Sequence, residues 1–482
     1  MKNASKGQVS NSVATKPDYR QVAVAMLALS VPFVTAVILL HGLRDHIVTF
    51  HGGDEECCIY PTILRFIETF PRMEVWDYDG AMTPLFHVLF ATFGKIVSPA
   101  LPFLRAVDVI ISYACGFLLF CLFRFRLAID FWTSLLIALT LTLSPYVFGV
   151  SFLLMTDNLA NLLAVAAIFC TLIYIRDGRW NLLAFAALFA SSAVLTRQLY
   201  VWLFVLVLAA SFLRDRSDPI FTDRYDLARS TSGAFALIAL ACSPLIVLFV
   251  SWGGVNPPNY HSYSGLDLSA VSFFTACLGL YAAPFLAVAW WTERWSWGGM
   301  PGQVSVIFLA AGAMLWAGPL QYHSVGTDYG VVGSDFPTDG YLWQLSRLFP
   351  PIGGSSLLFW ILVPCGVAAI VREWRQKSLG GFTLLAYVSF ALVSMANTVL
   401  YQKYFEFPAL LICCLMMFHN GDRILGAKRS ILLAYCLGFA IYAVGAPTIH
   451  ARMAMWGSGD HPPSLVGSVD NLNNEISRRN EK

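Results

Sequence analysis

The chain has 482 residues, of which 57% are hydrophobic and only 12% are charged, with a net charge of +2. A soluble domain carries about 25% charged residues, so this composition excludes an ordinary soluble globular protein. No basic tract indicates nucleic-acid binding. Apolar runs of about 20 residues recur along the whole chain, and they predict an all-α polytopic membrane protein.

The first 20 residues are polar and precede an apolar run long enough to act as a signal anchor. The predicted organisation is a cytoplasmic segment at 1–20, a transmembrane domain at 21–447 and a polar tail at 448–482. About 13 transmembrane helices are predicted within the domain. They lie at about 21–41, 106–124, 131–149, 154–175, 181–196, 198–213, 232–252, 269–292, 303–319, 355–372, 380–399, 406–419 and 430–447.

Lysine and arginine are concentrated in alternate loops, which the positive-inside rule assigns to the cytoplasm. The segment 84–97 is apolar but short, and it contains Lys95. Counting it as a span would put the later basic loops outside, so we predict an interfacial helix there. It belongs to a long first outer loop at 42–105 that contains juxtamembrane helices.

That loop contains the stretch "GGDEE", with Asp54, Glu55 and Glu56 in succession. A positioned carboxylate can take the proton from a sugar hydroxyl and make it a nucleophile. Asp54 and Glu55 would point about 100° apart on a helix, so we expect one of them to face a reaction. The alternative interpretation is a pair of acids favoured by a helix N-terminus.

Two further stretches place acids on the predicted outer side. "WDYDG" combines Trp76 with Asp77 and Asp79, a pairing suited to stacking on a sugar and accepting from its hydroxyls. Trp76 is equally typical of an anchor at the membrane interface. Asp157 stands near the outer start of an apolar helix, where helix capping is the alternative to a site role.

Cations and amides accompany these acids on the same predicted side. Arg197 lies between two apolar runs, where it would bind a phosphate or carboxylate or else extend to the interface. Lys403 stands among aromatic residues that also suit interface anchoring. Intramembrane ionisable groups are costly, which makes each a candidate. The accompanying polar candidates are Gln198, His261 and Gln402, with His261 more suited to a structural role.

These stretches together resemble the GT-C superfamily of integral membrane glycosyltransferases. More narrowly, they resemble the α-1,2-glucosyltransferases that use dolichyl-phosphate-glucose to complete the lipid-linked N-glycan precursor. The resemblance is carried, in order, by "DEE", "WDYDGAMTPLFH", "FLLMTDNLANLL", "LTRQLYVW", "NYHSYSGLDLSAVSFF" and "NTVLYQKYFEFPALL". It covers about residues 50–410. Glu56 and the Cys57–Cys58 pair depart from the eukaryotic pattern, which points to a bacterial or divergent relative.

The resemblance implies a GT-C fold and an inverting transfer of a hexose, with glucose favoured, from a polyprenyl-phosphate donor to a lipid-linked or extracytoplasmic glycan. It implies a periplasmic or lumenal site in a bacterial inner membrane or the endoplasmic reticulum. Asp54 would be the general base, with Glu55 as second choice, and Asp157 would orient the acceptor or a divalent cation. No metal ligand is otherwise assigned. Arg197 and Lys403 would hold the donor phosphate, and the remaining substrate-binding residues would be Trp76, Asp77, Asp79, Gln198, His261 and Gln402.

Two other classes remain open from the residues. A transporter or flippase for lipid-linked sugars would also have many spans and buried polar groups, but it predicts charges near the bilayer midplane and repeated halves. A polymerase or ligase would take a diphosphate-linked glycan as its donor. The candidate charges here gather at one membrane face, which favours the monophosphate-dependent transferase.

Overall fold

The computed structural model describes most of the chain, and within that part the fold is helical. The described residues are 19–42, 54–76, 80–217, 224–258, 265–293, 301–320, 340–376, 379, 381–396, 400–418 and 425–457. Within these ranges, the β structure is a short hairpin in which β1 (Pro351–Ile352) pairs antiparallel with β2 (Ser355–Ser356), and turns and short irregular segments connect the helices. Gly353 and Gly354 form its turn with φ of +56° and +82°, as a two-residue hairpin turn requires.

The helices follow the apolar runs of the sequence. In the first half they are α1 (Tyr19–Gly42), α2 (Tyr60–Thr69), α3 (Leu85–Ile96), α4 (Leu101–Cys121), α5 (Phe131–Leu143), α6 (Pro145–Val150), α7 (Thr156–Asp177), α8 (Trp180–Thr196) and α9 (Trp202–Ser217). In the second half they are α10 (Arg224–Trp252), α11 (Ser269–Glu293), α12 (Pro301–Ala317), α13 (Tyr341–Ser346), α14 (Leu357–Gln376), α15 (Phe382–Ser394), α16 (Gln402–Met417) and α17 (Leu425–Gly457). Two π-helical turns, Glu55–Ile59 and Leu122–Arg126, adjoin α2 and α4.

Seven helical segments within the described ranges are long and apolar enough to cross a membrane, which supports the predicted multi-pass architecture. They are Tyr19–Ile38, Leu101–Arg126, Thr156–Asp177, Thr231–Trp252, Ser269–Thr292, Leu357–Arg375 and Leu425–Ala443. The other six predicted spans coincide with the shorter helices α5, α8, α9, α12, α15 and α16. A total of about 13 spans, and the GT-C fold itself, stay predictions.

Several predicted boundaries differ from the observed ones. The span predicted at 131–149 is divided at Ser144, after which Pro145 starts α6. Proline has no N–H to continue the preceding helix, but it suits the first position of a new one. In the first outer loop, α3 occupies the segment that we predicted to be an interfacial helix. The position of α3 relative to a membrane stays a prediction. The division of the chain into a cytoplasmic segment at 1–20, a transmembrane domain at 21–447 and a tail at 448–482 also stays a prediction.

The second half of the bundle is held together by one close helix crossing. A Cβ atom added to Gly279 of α11 would lie 1.9 Å from the Leu362 carbonyl oxygen of α14. A Cβ atom on Gly366 would lie 2.2 Å from the Thr275 carbonyl oxygen. Small residues allow helix backbones to approach closely where lipid provides no hydrophobic driving force. This crossing packs α11 against α14, and α16 packs on the same helix α11.

The long helices have a common polarity that positions the candidate site. Asp108, near the start of α4, accepts from the N–H of Met155 just before α7, while Arg126 beyond the end of α4 contacts the Leu172 carbonyl of α7. Helices α4 and α7 therefore run side by side in the same direction. At 1.5 Å per residue, the 22 residues of α7 span about 33 Å. The starts of α4 and α7 lie at one end of the bundle and their final turns lie at the other.

Candidate functional site

The acidic triplet lies at the start of the π-helical turn Glu55–Ile59, which leads into α2 and which we call the acidic turn. Asp54 precedes this turn with helical backbone angles, and its carboxylate Oδ2 lies 3.3 Å from Lys403 Nζ. Glu55 instead contacts Arg105 of α4. Adjacent helical residues point about 100° apart, which accounts for their different partners. The Asp54 side chain is 46% exposed and the Glu55 side chain is fully buried.

Glu55 is held by both of its carboxylate oxygens. Arg105 donates from Nε to Oε1 at 2.9 Å and from Nη2 to Oε2. The backbone N–H of Leu154 also donates to Oε1, at 2.8 Å. A bidentate arginine–carboxylate pair fixes geometry better than a single contact. Glu55 therefore ties the acidic turn to α4 and to the residues just before α7.

Arg197 and Lys403 lie against the same aromatic ring. Arg197 Cζ lies 4.4 Å from the centre of the Tyr404 ring, and Lys403 Nζ lies 5.5 Å from it. Both distances allow cation–π attraction. Arg197 forms an ion pair with Asp157, just as Lys403 does with Asp54. We call these four ionised side chains, arranged acid–cation–cation–acid around Tyr404, the charged row.

The cations of the charged row are more buried than its first acid. The Lys403 and Arg197 side chains are 8% and 5% exposed, and Asp157 is 12% exposed. Buried arginine and lysine are costly unless an anion accompanies them. Solvent therefore reaches the row mainly at Asp54, whereas the two cations lie beneath the surface.

The start of α7 brings three acids together. The N–H of Leu154 donates to Glu55, and the N–H of Met155 donates to Asp108 Oδ2 at 3.0 Å. Asp157 occupies the first turn of α7. A helix start has unpaired N–H groups and a partial positive charge, and carboxylates satisfy both. The N-cap residue is Met155, whose side chain makes no capping hydrogen bond, and the Asp157 carboxylate forms an ion pair with Arg197.

Two asparagines on α7 extend this network into the bundle. Asn158 donates from Nδ2 to Asp108 at 2.8 Å and to the Val150 carbonyl at 3.0 Å. Asn161 accepts a hydrogen bond from the Tyr200 hydroxyl. Tyr200 belongs to the 3₁₀ turn Gln198–Val201 that follows Arg197. The contact therefore anchors the chain on the far side of Arg197 and fixes where that cation lies.

Gln402 and Glu406, on the first turns of α16, form a second buried network. The Glu406 carboxylate accepts from the Tyr146 N–H at 2.9 Å, the Tyr341 hydroxyl at 2.8 Å and the Tyr281 hydroxyl at 3.2 Å. Burial and the nearby Glu406 charge raise the pKa of Tyr341 well above its usual value, so this phenol stays a donor. The network fixes the start of α16, from which Lys403 and Tyr404 project.

Glycine at position 340 permits this second network to form. Gly340 has φ of +93°, which side-chain-bearing residues rarely adopt. A Cβ atom there would lie 2.7 Å from Gln402 Oε1 and from the Tyr146 hydroxyl. The following N–H, of Leu342, donates to Gln402 Oε1 at 2.8 Å. Gln402 thus acts as a structural acceptor for the start of α13.

The remaining predicted site residues have separate surroundings. Gln198 donates to the Ala81 carbonyl at 3.2 Å and thereby joins the segment before α3 to the residues after α8. Trp76 is 51% exposed. The predicted sugar-binding acids Asp77 and Asp79, and the loop histidine His261, lie outside the described residues.

The structure brings the five predicted charged residues that it describes, Asp54, Glu55, Asp157, Arg197 and Lys403, together at one end of the bundle. We call this region the carboxylate end, defined by five acids: Asp54, Glu55, Asp108, Asp157 and Glu406. Three of its features were missed by the sequence analysis. Arg105 was placed in a loop, Asp108 was overlooked within a predicted span, and Glu406 was not among the candidates. Ionisable residues within an apolar run are a recognised signal of function, and that signal applied to Asp108.

Comparison of the chain with protein-family models, with curated proteins and with solved structures finds no match. Among the residues that the structure describes, no group of three histidine, cysteine or acidic side chains could hold a metal ion. The chemistry of the carboxylate end therefore has to be inferred from its own geometry.

Proposed function

We propose that this chain is an inverting glycosyltransferase that moves a hexose, with glucose favoured, from a polyprenyl-phosphate carrier to a hydroxyl of a lipid-linked or extracytoplasmic glycan. The observation that carries the proposal is the charged row: a half-exposed carboxylate, Asp54, stands beside two cations that are almost buried. Such a transfer requires a base for the incoming hydroxyl and positive charge for the departing phosphate.

In the proposed reaction, Asp54 takes the proton of the acceptor hydroxyl while its oxygen attacks the anomeric carbon. The bond between that carbon and the phosphate oxygen breaks, and the bonding electrons leave with the lipid phosphate. A single displacement of this kind inverts the anomeric configuration. Asp54 suits the base role better than Glu55, because Asp54 is half exposed and both Glu55 oxygens already accept hydrogen bonds.

Lys403 and Arg197 would stabilise the negative charge that develops on the leaving phosphate. In the structure each cation is paired with an acid, so the row is neutral as a whole. Phosphate oxygens are strong acceptors for ammonium and guanidinium groups. A bound donor would therefore replace Asp54 as the partner of Lys403, and the carboxylate would become available to the acceptor.

The remaining roles follow from exposure and position. Trp76 is half exposed and can stack on a sugar. Asp157, beside Arg197, would orient the acceptor or the guanidinium. Gln198 and Gln402 are bonded to backbone groups, which favours support of the site over direct contact with substrate. Asp77, Asp79 and His261 are retained as proposed substrate-binding residues.

The direct test is Asp54→Asn, which keeps the size of the side chain and removes its basicity. Purified protein in lipid nanodiscs would be given polyprenyl-phosphate-glucose and a lipid-linked glycan acceptor. We expect kcat to fall by about 10²–10⁴-fold, the usual contribution of a general base. The KM for the donor should change little, because donor contacts are assigned to the cations.

Arg197→Lys tests the proposed contact of Arg197 with the donor phosphate. Arg197→Lys keeps the positive charge but loses the planar guanidinium, so the donor KM should rise while the acceptor KM stays unchanged.

Turnover of Asp54→Asn near the wild-type rate would remove Asp54 from the base role. A diphosphate-linked glycan accepted in place of the monophosphate donor would indicate the polymerase or ligase class.

The competing function is transport or flipping of lipid-linked sugars. Buried polar contacts between α7 and its neighbours, such as that of Asn161 with Tyr200, are compatible with a polar path. The ion pairs of the charged row, however, lie at one end of the helices, whereas a transporter is expected to bind near the midplane. Movement of a labelled lipid-linked sugar across proteoliposome membranes, without any new glycosidic bond, would support the transporter.

A further inference from the structure

We propose that Arg105 and Glu55 form a positioning pair that holds the neighbouring Asp54 carboxylate at the charged row. The inference rests on the proposed function and divides the two acids into a base and an anchor. Arg105 then has a role in the reaction without touching substrate. Glu55 acts through its attachment to the rest of the molecule.

The pair joins three separate parts of the chain. Glu55 lies in the π-helical turn before α2, and Arg105 lies in the second turn of α4. Leu154, just before α7, contributes the third contact through its backbone N–H. All these bonds converge on one carboxylate that is fully buried, where hydrogen bonds are strongest.

This attachment restricts where Asp54 can lie. The Cα atoms of consecutive residues are separated by about 3.8 Å, so fixing the backbone at Glu55 also fixes it at Asp54 within a short distance. The Asp54 carboxylate must reach Lys403 of α16, a helix to which the acidic turn has no chain connection nearby. A misplacement of about 1 Å at a reacting group can lower the rate about 10²-fold.

The geometry also separates Glu55 from the base role. Its side chain has no exposed surface, and Arg105 and Leu154 already donate to its oxygens. A substrate hydroxyl would have to displace one of those donors and leave it buried without a partner. Such a loss costs about 1–3 kcal/mol for each neutral group and more for a charged one.

The experiment compares Arg105→Gln with Arg65→Gln in the full-length protein in nanodiscs. Arg65 lies on α2 and pairs with Glu74 at 2.7 Å, but both of these side chains are at least half exposed. We expect Arg105→Gln to lower kcat about 10²-fold and to change the donor KM by less than about threefold, because only the base is misplaced. Arg65→Gln should leave both constants unchanged.

A second measurement is independent of activity. Hydrogen–deuterium exchange should become faster in peptides covering 54–69 in the Arg105→Gln variant, whereas peptides from α11 and α14 should be unaffected. The double variant Glu55→Gln/Arg105→Gln should be no worse than the more impaired single variant, because both changes remove one shared contact. Should Arg105→Gln fail to fold, Arg105→Lys offers a milder loss of the bidentate contact and is expected to give the same changes, smaller in size.

Failure of this inference can be told apart from failure of the proposed function. Unchanged kcat and unchanged exchange in Arg105→Gln, alongside an inactive Asp54→Asn, would overturn the positioning pair and leave the transferase proposal intact. A rise in the donor KM of Arg105→Gln as large as the fall in its kcat would also overturn the positioning pair, because that result would give Arg105 a binding role. Faster exchange in Arg105→Gln together with an active Asp54→Asn would overturn the base assignment and the positioning pair with it.

Discussion

The two ends of the helical bundle use charge in opposite ways. At the carboxylate end, side-chain acids accept hydrogen bonds from backbone N–H groups of Tyr146, Leu154 and Met155. At the other end, arginine and lysine are the donors: three of them donate to backbone carbonyls, one to a thioether sulfur and one to a threonine hydroxyl. We call this second region the cation end, defined by Arg124, Arg126, Arg372, Lys428 and Arg429.

The contacts of the cation end are simple. Arg126 donates from Nε to the Leu172 carbonyl at 2.7 Å, and Lys428 donates to the Met417 carbonyl at the end of α16. The Met417 carbonyl is among the last four of α16, which have no partner within the helix, and a cation there also interacts favourably with the helix dipole. The Leu172 carbonyl lies more than one turn before the end of α7, so Arg126 is an additional donor to it. Both contacts have a structural explanation.

The carboxylate end contains more charge than helix ends require. Glu55, Asp108 and Glu406 bind backbone donors, which parallels the role of the cations at the opposite end. Asp54 and Asp157 instead pair with buried or nearly buried cations around Tyr404. Hydrogen bonding to backbone groups at helix ends therefore explains three of the five acids at the carboxylate end. The other two acids belong to the charged row, for which we propose a role in the reaction.

The largest effect is expected from a test of which end faces the cytoplasm. Arg72 is exposed just after α2, in the predicted first outer loop, and Arg179 is exposed between α7 and α8 at the cation end. A membrane-impermeant maleimide should label Arg72→Cys in intact cells and Arg179→Cys only after permeabilisation. The positive-inside rule gives this orientation, and the result should be close to all or none.

The unsubstituted chain controls for its native thiols, among which Cys58 is partly exposed. The reverse labelling pattern would place the charged row on the cytoplasmic side. The proposed extracytoplasmic transferase would then be wrong, although the comparison between the two ends would still hold.

A smaller effect separates the two ends by stability. Glu406→Ala removes the acceptor that Tyr146, Tyr281 and Tyr341 share, and we expect a loss of at least about 3 kcal/mol, because each buried donor left without a partner costs about 1–3 kcal/mol. Lys428→Met at the cation end removes the hydrogen bond to the Met417 carbonyl, and we expect a loss of about 1 kcal/mol for that bond. Thermal denaturation in detergent micelles would measure both.

Glu406→Gln is the matched control, because an amide keeps one acceptor oxygen and should recover part of the loss. Equal destabilisation by Glu406→Ala and Lys428→Met would contradict the view that the carboxylate end concentrates more hydrogen bonds on each ionised group.

The sequence predicted the helical membrane class and the gathering of Asp54, Asp157, Arg197 and Lys403 at one end, because apolar runs and basic loops are local signals. Two ion pairs within this set, and the ring of Tyr404 between them, could not be predicted. Asp54 and Lys403 are 349 residues apart, and their contact depends on how α16 packs against the acidic turn.

The roles of Arg105 and Asp108 show a different limit. The predicted span at 106–124 began too late, since α4 starts at Leu101, and Arg105 was therefore assigned to a loop. The proline at the second position of α4 was the signal for the earlier start. Asp108 accepts from the Met155 N–H, a partner that depends on the side-by-side packing of α4 and α7.

The smallest effect is expected at an exposed pair of the cation end. Arg429 lies 2.8 Å from Asp130, which precedes α5, and both side chains are about one-third exposed. Burial alone would raise the pKa of Asp130, but hydrogen bonds from Thr133 and Arg429 outweigh burial and lower this pKa below the usual value of 3.8. The pair therefore contributes its full stabilisation when the pH is above the usual pKa of 3.8. This contribution is lost as the pH falls through the lower pKa that Asp130 has in the folded protein.

Arg429→Ala should cost less than about 1 kcal/mol at pH 7, because solvent screens the pair. The difference in melting temperature between wild type and Asp130→Asn should narrow between pH 5 and pH 3, whereas a difference that stays constant over this range would exclude ionisation of Asp130 as its source.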